Sequence, residues 1–374
     1  METFRLNSKL REKDREYLIQ TSNDASLGSV STIVYVDGMR IDTHNCPHPE
    51  KVTPKQLLGM VKKAHGERKK ELEGLLQAYQ RAGAESDSDK MFLLSSVLFH
   101  KRLYYEALDL LKGVISLRTE YHQAYDLLGQ TYLASGQVGL AVESGLRAVE
   151  LCPNYADYRN HLGEAYLSSG SAGKAIAEFE AAIGVNMYYS EAYFNLGLAH
   201  ILEVSNATER LHIQQGIIRI QEYLSKAGLV YPEYLSHRNY QEGLKALEIQ
   251  DFGRALSLLR SVAEARKELR RQEFISMNGR LLAHPDTWTV ENLGKQIKSL
   301  RTQLEKHPNY LDMQTELVYC YMEQAGMIWD QGLEICQIIM ETHPNQERIS
   351  GILEGALDVR ASMLETIKGI SKEG

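Results

Sequence analysis

A mainly α fold, a solenoid of stacked helical hairpins preceded by a small α+β module, is the fold class this 374-residue sequence predicts. Three observations predict it. Apolar and small residues recur every 34 positions, most clearly between residues 122 and 189. Within each copy the apolar residues fall at helical spacing on either side of a short polar turn. Runs rich in β-branched and aromatic residues are confined to the N-terminal end, before residue 53.

Within residues 1–52, the segments 16–21 (EYLIQT), 31–36 (STIVYV) and 39–43 (MRIDT) read as strands. Asp37-Gly38 suits a type I′ hairpin turn, whose two central residues both need positive φ. A three-stranded antiparallel sheet is predicted. Thr53 and Pro54 fit an N-cap and first helical position. They open an amphipathic helix to about Arg81, linking residues 53–85, with Leu57, Leu58, Val61, Leu72, Leu75 and Leu76 as its stripe. Three strands and one helix make a marginal core, so the module is expected to dock on the first repeat. Its free sheet edge could take a partner strand or a second copy of the chain, although a cap for the array is the preferred role.

The array is read over 86–270 as about five repeats. Leu128, Leu162 and Leu196 are each followed by glycine (Gly129, Gly163, Gly197), and three residues later come Tyr132, Tyr166 and His200. Ala141 and Ala175, then Ala148 and Ala182, keep the same period. Small residues at such places let two antiparallel helices approach closely while leucine and tyrosine fill the flanks. Residues 88–121 keep the spacing with Ser95 in place of glycine. The copy from residue 190 carries an insertion near 204–211, and 236–269 fits through Gly243, Ala255 and Leu259. After a break at His284, Pro285 and Asp286, residues 271–374 read as divergent hairpins, Leu300 to Pro308 and Leu317 to Pro344, closed by a capping helix from Ile349 to Ile370.

This pattern resembles the tetratricopeptide repeat (TPR). Residues 122–155 supply Tyr125, Leu128, Gly129, Tyr132, Ala141, Ala148 and Pro153, with Gly145 where an aromatic is usual. Residues 156–189 keep Leu162, Gly163, Tyr166, Ala175, Phe179 and Ala182 but have Arg159 first and Met187 in place of proline. The resemblance implies a superhelix whose concave surface is lined by the first helix of each unit. There the fifth and ninth positions, flanked by the second and sixth, face a ligand. On this chain these are Asp126, Gln130, Asn160, Glu164, Phe194 and Asn195. Acidic Asp126 and Glu164 replace the cations with which one TPR class grips chaperone tails, so a neutral or basic partner segment is expected.

Composition narrows the rest. The 49 acidic and 42 basic residues leave a charge of −7, against nucleic acid as a partner. Four widely spaced cysteines fit free thiols in a reducing compartment, and the sequence shows neither an apolar leader nor a membrane-spanning run, so a cytoplasmic protein without membrane insertion is expected. His44, Cys46 and His48 are the best metal candidate, but an exposed polar turn accounts for them better, since nothing nearby completes a closed site. The Gly-Ser-Ala-Gly-Lys run at 170–174 lacks phosphate-loop spacing. The basic runs at 62–70 and 266–271 read as solvated helix faces. Since no nucleophile–base pair or dinucleotide turn is found, the expectation is a protein that is no enzyme and needs no cofactor. The reading is a non-catalytic scaffold that binds an extended peptide or helix in its groove. The alternative is a self-assembling protein that oligomerises through the sheet edge or the groove.

Overall fold

Four strands open the chain in the computed structural model, which describes residues 3–24, 28–49, 51–206, 209–283, 290–306 and 311–342, and Leu357. Strands β1 (Arg5–Glu12), β2 (Arg15–Asp24), β3 (Ser29–Val36) and β4 (Met39–Pro47) form an antiparallel meander in the order β1-β2-β3-β4. The expected three-stranded sheet is thus one strand short. The missed strand, β1, is rich in charge, and its turn to β2 uses Lys13, at φ 51°, where Asn-Gly or Asp-Gly would have announced a hairpin. The Asp37-Gly38 turn has positive φ at both residues, 49° and 81°.

Helix α1 (Pro54–Glu85) begins with a capping box in which Thr53 and Gln56 satisfy each other's backbone N–H groups. Its early part covers Val30 with Leu57 and Val61. Its later part, through Leu72, Leu75, Leu76 and Tyr79, shares one core with Tyr17, Ile19, Val34 and Val36 of the sheet and with Leu98, Leu103, Ala107 and Leu111 of the first hairpin. The sheet module is therefore continuous with the repeats. Polar links reinforce the seam: the Tyr17 hydroxyl donates to the Glu106 carboxylate, and Lys13 Nζ lies 3.1 Å from Asp109.

The hairpins follow as α2 (Ser88–His100) with α3 (Tyr104–Leu117), α4 (His122–Ala134) with α5 (Val138–Leu151), and α6 (Ala156–Ser168) with α7 (Ala172–Val185). Next come α8 (Ser190–Ser205) with α9 (Arg210–Val230), a short α10 (Glu233–Ser236), and α11 (Arg238–Glu248) with α12 (Phe252–Ala283). One turn geometry recurs. Arg102, Gly136, Gly170 and Gln250 all have left-handed φ, between 60° and 80°. Beside each, an N–H reaches back five residues: Leu103 to Leu98, Gln137 to Tyr132, Ser171 to Tyr166 and Asp251 to Ala246. This is the Schellman closure of a helix end.

The glycines inside the first helices mark the helix–helix contact. A Cβ on Gly163 would lie 2.5 Å from the Phe179 ring, one on Gly197 would meet Leu224 at 3.0 Å, and one on Gly243 would meet Leu259 at 2.8 Å. Gly129 instead faces backbone, at 3.2 Å from the Ala141 carbonyl oxygen and 3.3 Å from Gly145 N. The replacement of an aromatic by Gly145 thus brings two main chains together.

The molecule divides into Met1–Ala283 and His284–Gly374. The boundary expected at 270/271 falls inside α12, whose turns run unbroken to Ala283. In the second unit α13 (Val290–Lys306) packs on α14 (Leu311–Thr342), with Leu293, Ile297, Leu300 and Cys320 buried. The break at 284–286 and, apart from Leu357, the capping helix expected over 349–370 lie outside the described residues.

Two substitutions test this packing in urea unfolding. Gly163→Ala should destabilise by about 1–3 kcal/mol, because the Phe179 ring has to move. Gln250→Gly, at an exposed left-handed position, should stabilise by about 1 kcal/mol.

Candidate functional site

Helices α2, α4, α6 and α8, which open the first four hairpins, succeed one another along one wall of a cleft of about 950 Å³. All six groove residues predicted from the repeat register line it: Asp126, Gln130, Asn160, Glu164, Phe194 and Asn195. They are tied together more tightly than their sequence positions suggest. Gln130 donates to Asp126 at 2.7 Å, and Asp126 faces His161 Nδ1 at 2.9 Å. Asn195 Nδ2 donates to both Asn160 Oδ1 and Glu164 Oε1, each at 3.0 Å. Phe194 is buried against Tyr234, with ring centroids 4.6 Å apart. Its main contribution is to the core beneath the cleft.

The opposite wall is α12. Lys267 Nζ lies 2.7 Å from Glu164, while Arg270 and Arg266 lie 3.1 and 3.4 Å from Glu191 on α8. Further along, Glu268 pairs with Arg102 at 2.9 Å, and Arg271 donates to the His100 carbonyl oxygen at 2.7 Å. Phe274 stacks on the His100 ring at 3.7 Å. The basic run 266–271, expected to be a solvated face, is turned toward acids of the groove, a placement that local charge pattern cannot reveal. The other run, 62–70, is divided: His65 bonds Ser8 and Thr21 under the sheet, Arg68 pairs with Asp42, and Lys69 faces Glu73.

Electrostatics in the cleft follow from these pairings. Burial disfavours the His161 imidazolium, but the charge and hydrogen bond of Asp126, helped by Glu164 and Asp157, outweigh it and raise the pKa to about 9. Burial likewise pushes Glu164 and Glu191 upward. Lys267 and His161 reverse this for Glu164, as Arg270 and Arg266 do for Glu191, and both carboxylates end below their usual range. Burial holds His100 down at about 4, with Arg271 and Arg270 adding to the effect.

Sequence reasoning left out Tyr155, Asp157, Tyr158, His161, Tyr189 and Glu191, which also line the cleft. A signal for some of them existed. Tyr155 and Tyr189 are one period apart at the N-terminal ends of α6 and α8, and Asp157 and Glu191 both hold the second position of their repeats. His44 and Cys46 lie on edge strand β4 with His48 just beyond it, and His48 Nδ1 contacts the Pro49 carbonyl oxygen. Among the described residues no group of three His, Cys, Asp or Glu side chains is placed to hold a metal ion. Nor, among them, is any helix long and apolar enough to cross a membrane.

Fold and cleft together define a solenoid of helical hairpins. Two family models match it, "TPR repeat" over residues 129–170 and "Tetratricopeptide repeat" over residues 156–186. Residues 129–186 thus carry tetratricopeptide repeats, a repeat class that supports a protein-interaction scaffold in general terms. No curated relative matches it. Similar solved structures include MamA, at 24% identity over 43% of this chain and 89% of that one, TM-score 0.36. A thermophilic TPR protein from Thermus thermophilus, TTC0263, is 18% identical over 63% of this chain and 99% of that one, TM-score 0.35. YrrB, described as a TPR protein with an unusual peptide-binding site, is 19% identical over 51% of this chain and 98% of that one, TM-score 0.34.

The His161–Asp126 pair has a pH signature. A histidine whose pKa is raised by folding contributes stability that is complete below its unfolded value of about 6.5 and lost as pH climbs through the folded value of about 9. Melting temperature should fall across that window more steeply for the wild type than for His161→Gln, as measured by scanning fluorimetry. Equal slopes would remove the pair from the account.

Proposed function

We propose that the concave cleft is where this scaffold holds its partner, a neutral or basic peptide or helix, without catalysing a reaction. The observation that carries this reading is the convergence of all six register-derived residues on one cleft, together with the acidic character of the helices that build it. Asp126, Asp157, Glu164 and Glu191 all stand on those helices, where His161 faces Asp126, and the cations that meet Glu164 and Glu191 come from α12. Asn160, Asn195 and Gln130 supply amide groups suited to the backbone of an extended segment, and the exposed Tyr155 ring, stacked at 4.8 Å on the buried Tyr158, offers a flat apolar face.

The alternative role as a self-assembling protein draws on the sheet, whose outer strands β1 and β4 each have one neighbour among the described strands. Arg5, Lys9 and Arg11 crowd β1, and charge of that kind protects an edge from pairing with another copy. The sheet's shared core with the first hairpin favours a capping role. Light scattering separates the two, a monomer at micromolar concentration going against self-assembly.

The groove itself is tested by photo-crosslinking. A photoreactive residue placed at Gln130 or Tyr155 should link the same partner in extracts of the native cell, and one at Leu146, exposed on α5 away from the cleft, should link none of it. Adding Glu164→Arg should cut the yield at least tenfold. Partner linked only from Leu146 would place binding elsewhere.

A further inference from the structure

Helix α12 is 32 residues long, whereas α3, α5 and α7, the corresponding second helices of earlier hairpins, have 14 each. Its first half does the hairpin's work: Ala255, Leu259 and Val262 are buried, with Leu259 filling the space opposite Gly243. The continuation is of another kind. From Ala263 to Gln272 the sole buried residue is Arg266, and Leu269 is exposed. Two arginines anchor it, Arg266 donating to the Tyr231 hydroxyl at 2.9 Å and Arg271 to the His100 carbonyl oxygen at 2.7 Å, and the rest is held through charge, by Lys267 to Glu164, by Arg266 and Arg270 to Glu191, and by Glu268 to Arg102. Lys267 and Arg270 keep 58% and 44% of their side-chain surface exposed, so water screens both contacts. The segment also leaves about 950 Å³ of the cleft open. A surface helix held largely by ion pairs, two of them screened, over an unfilled groove can be replaced by another helix that brings the same charges, the buried Arg266 included, and fills the space.

We propose that the partner presents a basic helix with cations spaced as Arg266, Lys267, Arg270 and Arg271 are, and that it docks on Glu164 and Glu191 in the place that residues 263–272 occupy. The inference rests on the concave-cleft reading and names its ligand class. In the chain alone, α12 serves as a stand-in for that ligand and covers the acids until the partner arrives.

The probe is a fluorescent synthetic peptide of residues 259–275, titrated by anisotropy into the full chain. Lys267→Glu combined with Arg270→Glu should free the segment, increase hydrogen exchange across 263–272, and bind the peptide at least tenfold more tightly than wild type does. Adding the near-isosteric Glu164→Gln and Glu191→Gln to that variant should abolish the gain while leaving the circular dichroism unchanged. Unchanged exchange would show α12 to be a fixed strut, and a freed segment with no gain in peptide binding would exclude a basic helix as the occupant. Binding that survives the two glutamines would move the site off these acids. Each of these results overturns the proposal and leaves the cleft to be judged by its own crosslinks, whereas loss of those crosslinks removes the cleft reading whatever the peptide does.

Discussion

The distance of closest approach between the two helices of each hairpin governs everything built on it. In the four hairpins after the first, that distance is set where Gly129, Gly163, Gly197 and Gly243 meet the opposing helix. With no Cβ in the way, Phe179, Leu224 and Leu259 lie directly over the glycine backbone, and at Gly129 the two main chains themselves approach. Equal hairpins joined by equal turns then stack in register, which returns the same helical position to the same wall every 34 residues. Asp126, Asn160 and Phe194 become neighbours along a groove only because the interior packing repeats. The row also bends far enough for one helix, α12, to touch both α8 and α2.

A groove made this way has a physical difficulty, since its acids lie low between helices. Burial alone would drive Glu164 and Glu191 toward the neutral form, and an uncompensated buried charge is costly. Two kinds of compensation are present. Side chains of the groove's own helices share hydrogen bonds, as Asn195 does between Asn160 and Glu164, and Asp126 draws a proton onto His161. The remainder comes from cations on α12. The first kind belongs to the framework and holds the acceptors in fixed positions. The second can in principle be supplied by any helix carrying the same charges.

Much of the architecture is legible in the sequence because it repeats. The Leu-Gly pairs and the alanines that recur with the same 34-residue period point to hairpins, and the register alone brings six residues to one cleft. What does not repeat is harder to read. Strand β1 carries charge at its exposed positions, the alternation of Phe4, Leu6 and Leu10 that runs into it is interrupted by Ser8, and it enters its turn through Lys13, so it is marked only weakly by alternation and not by a glycine turn. The left-handed turn position is occupied by glycine at 136 and 170 but by Arg102 and Gln250 in the outer units, where the hairpin keeps its geometry and the sequence loses its sign. The role of residues 266–271 is set by contacts spanning up to 171 positions, such as Arg271 with the His100 carbonyl oxygen, and no local pattern encodes a partner so distant in the chain.

That distance explains why the basic run reads locally as a solvated face, and it also bears on how the groove discriminates. Lys267 and Arg270 would be unremarkable on an isolated helix, where glutamates nearby would satisfy them. Here they are directed at Glu164 and Glu191, which stand on different hairpins and are spaced by the stacking of those hairpins. A short flexible basic tail could satisfy one acid at a time, while a helix satisfies both with a single ordering of its backbone, since residues 267 and 270 lie on one face. The framework bond from Asn195 holds Glu164 in place within the chain itself, so the proposed docking would require little ordering of the groove. If the groove takes a basic helix as proposed, charge would select among helices and the spacing of the cations within them, a stricter filter than an acidic surface alone provides.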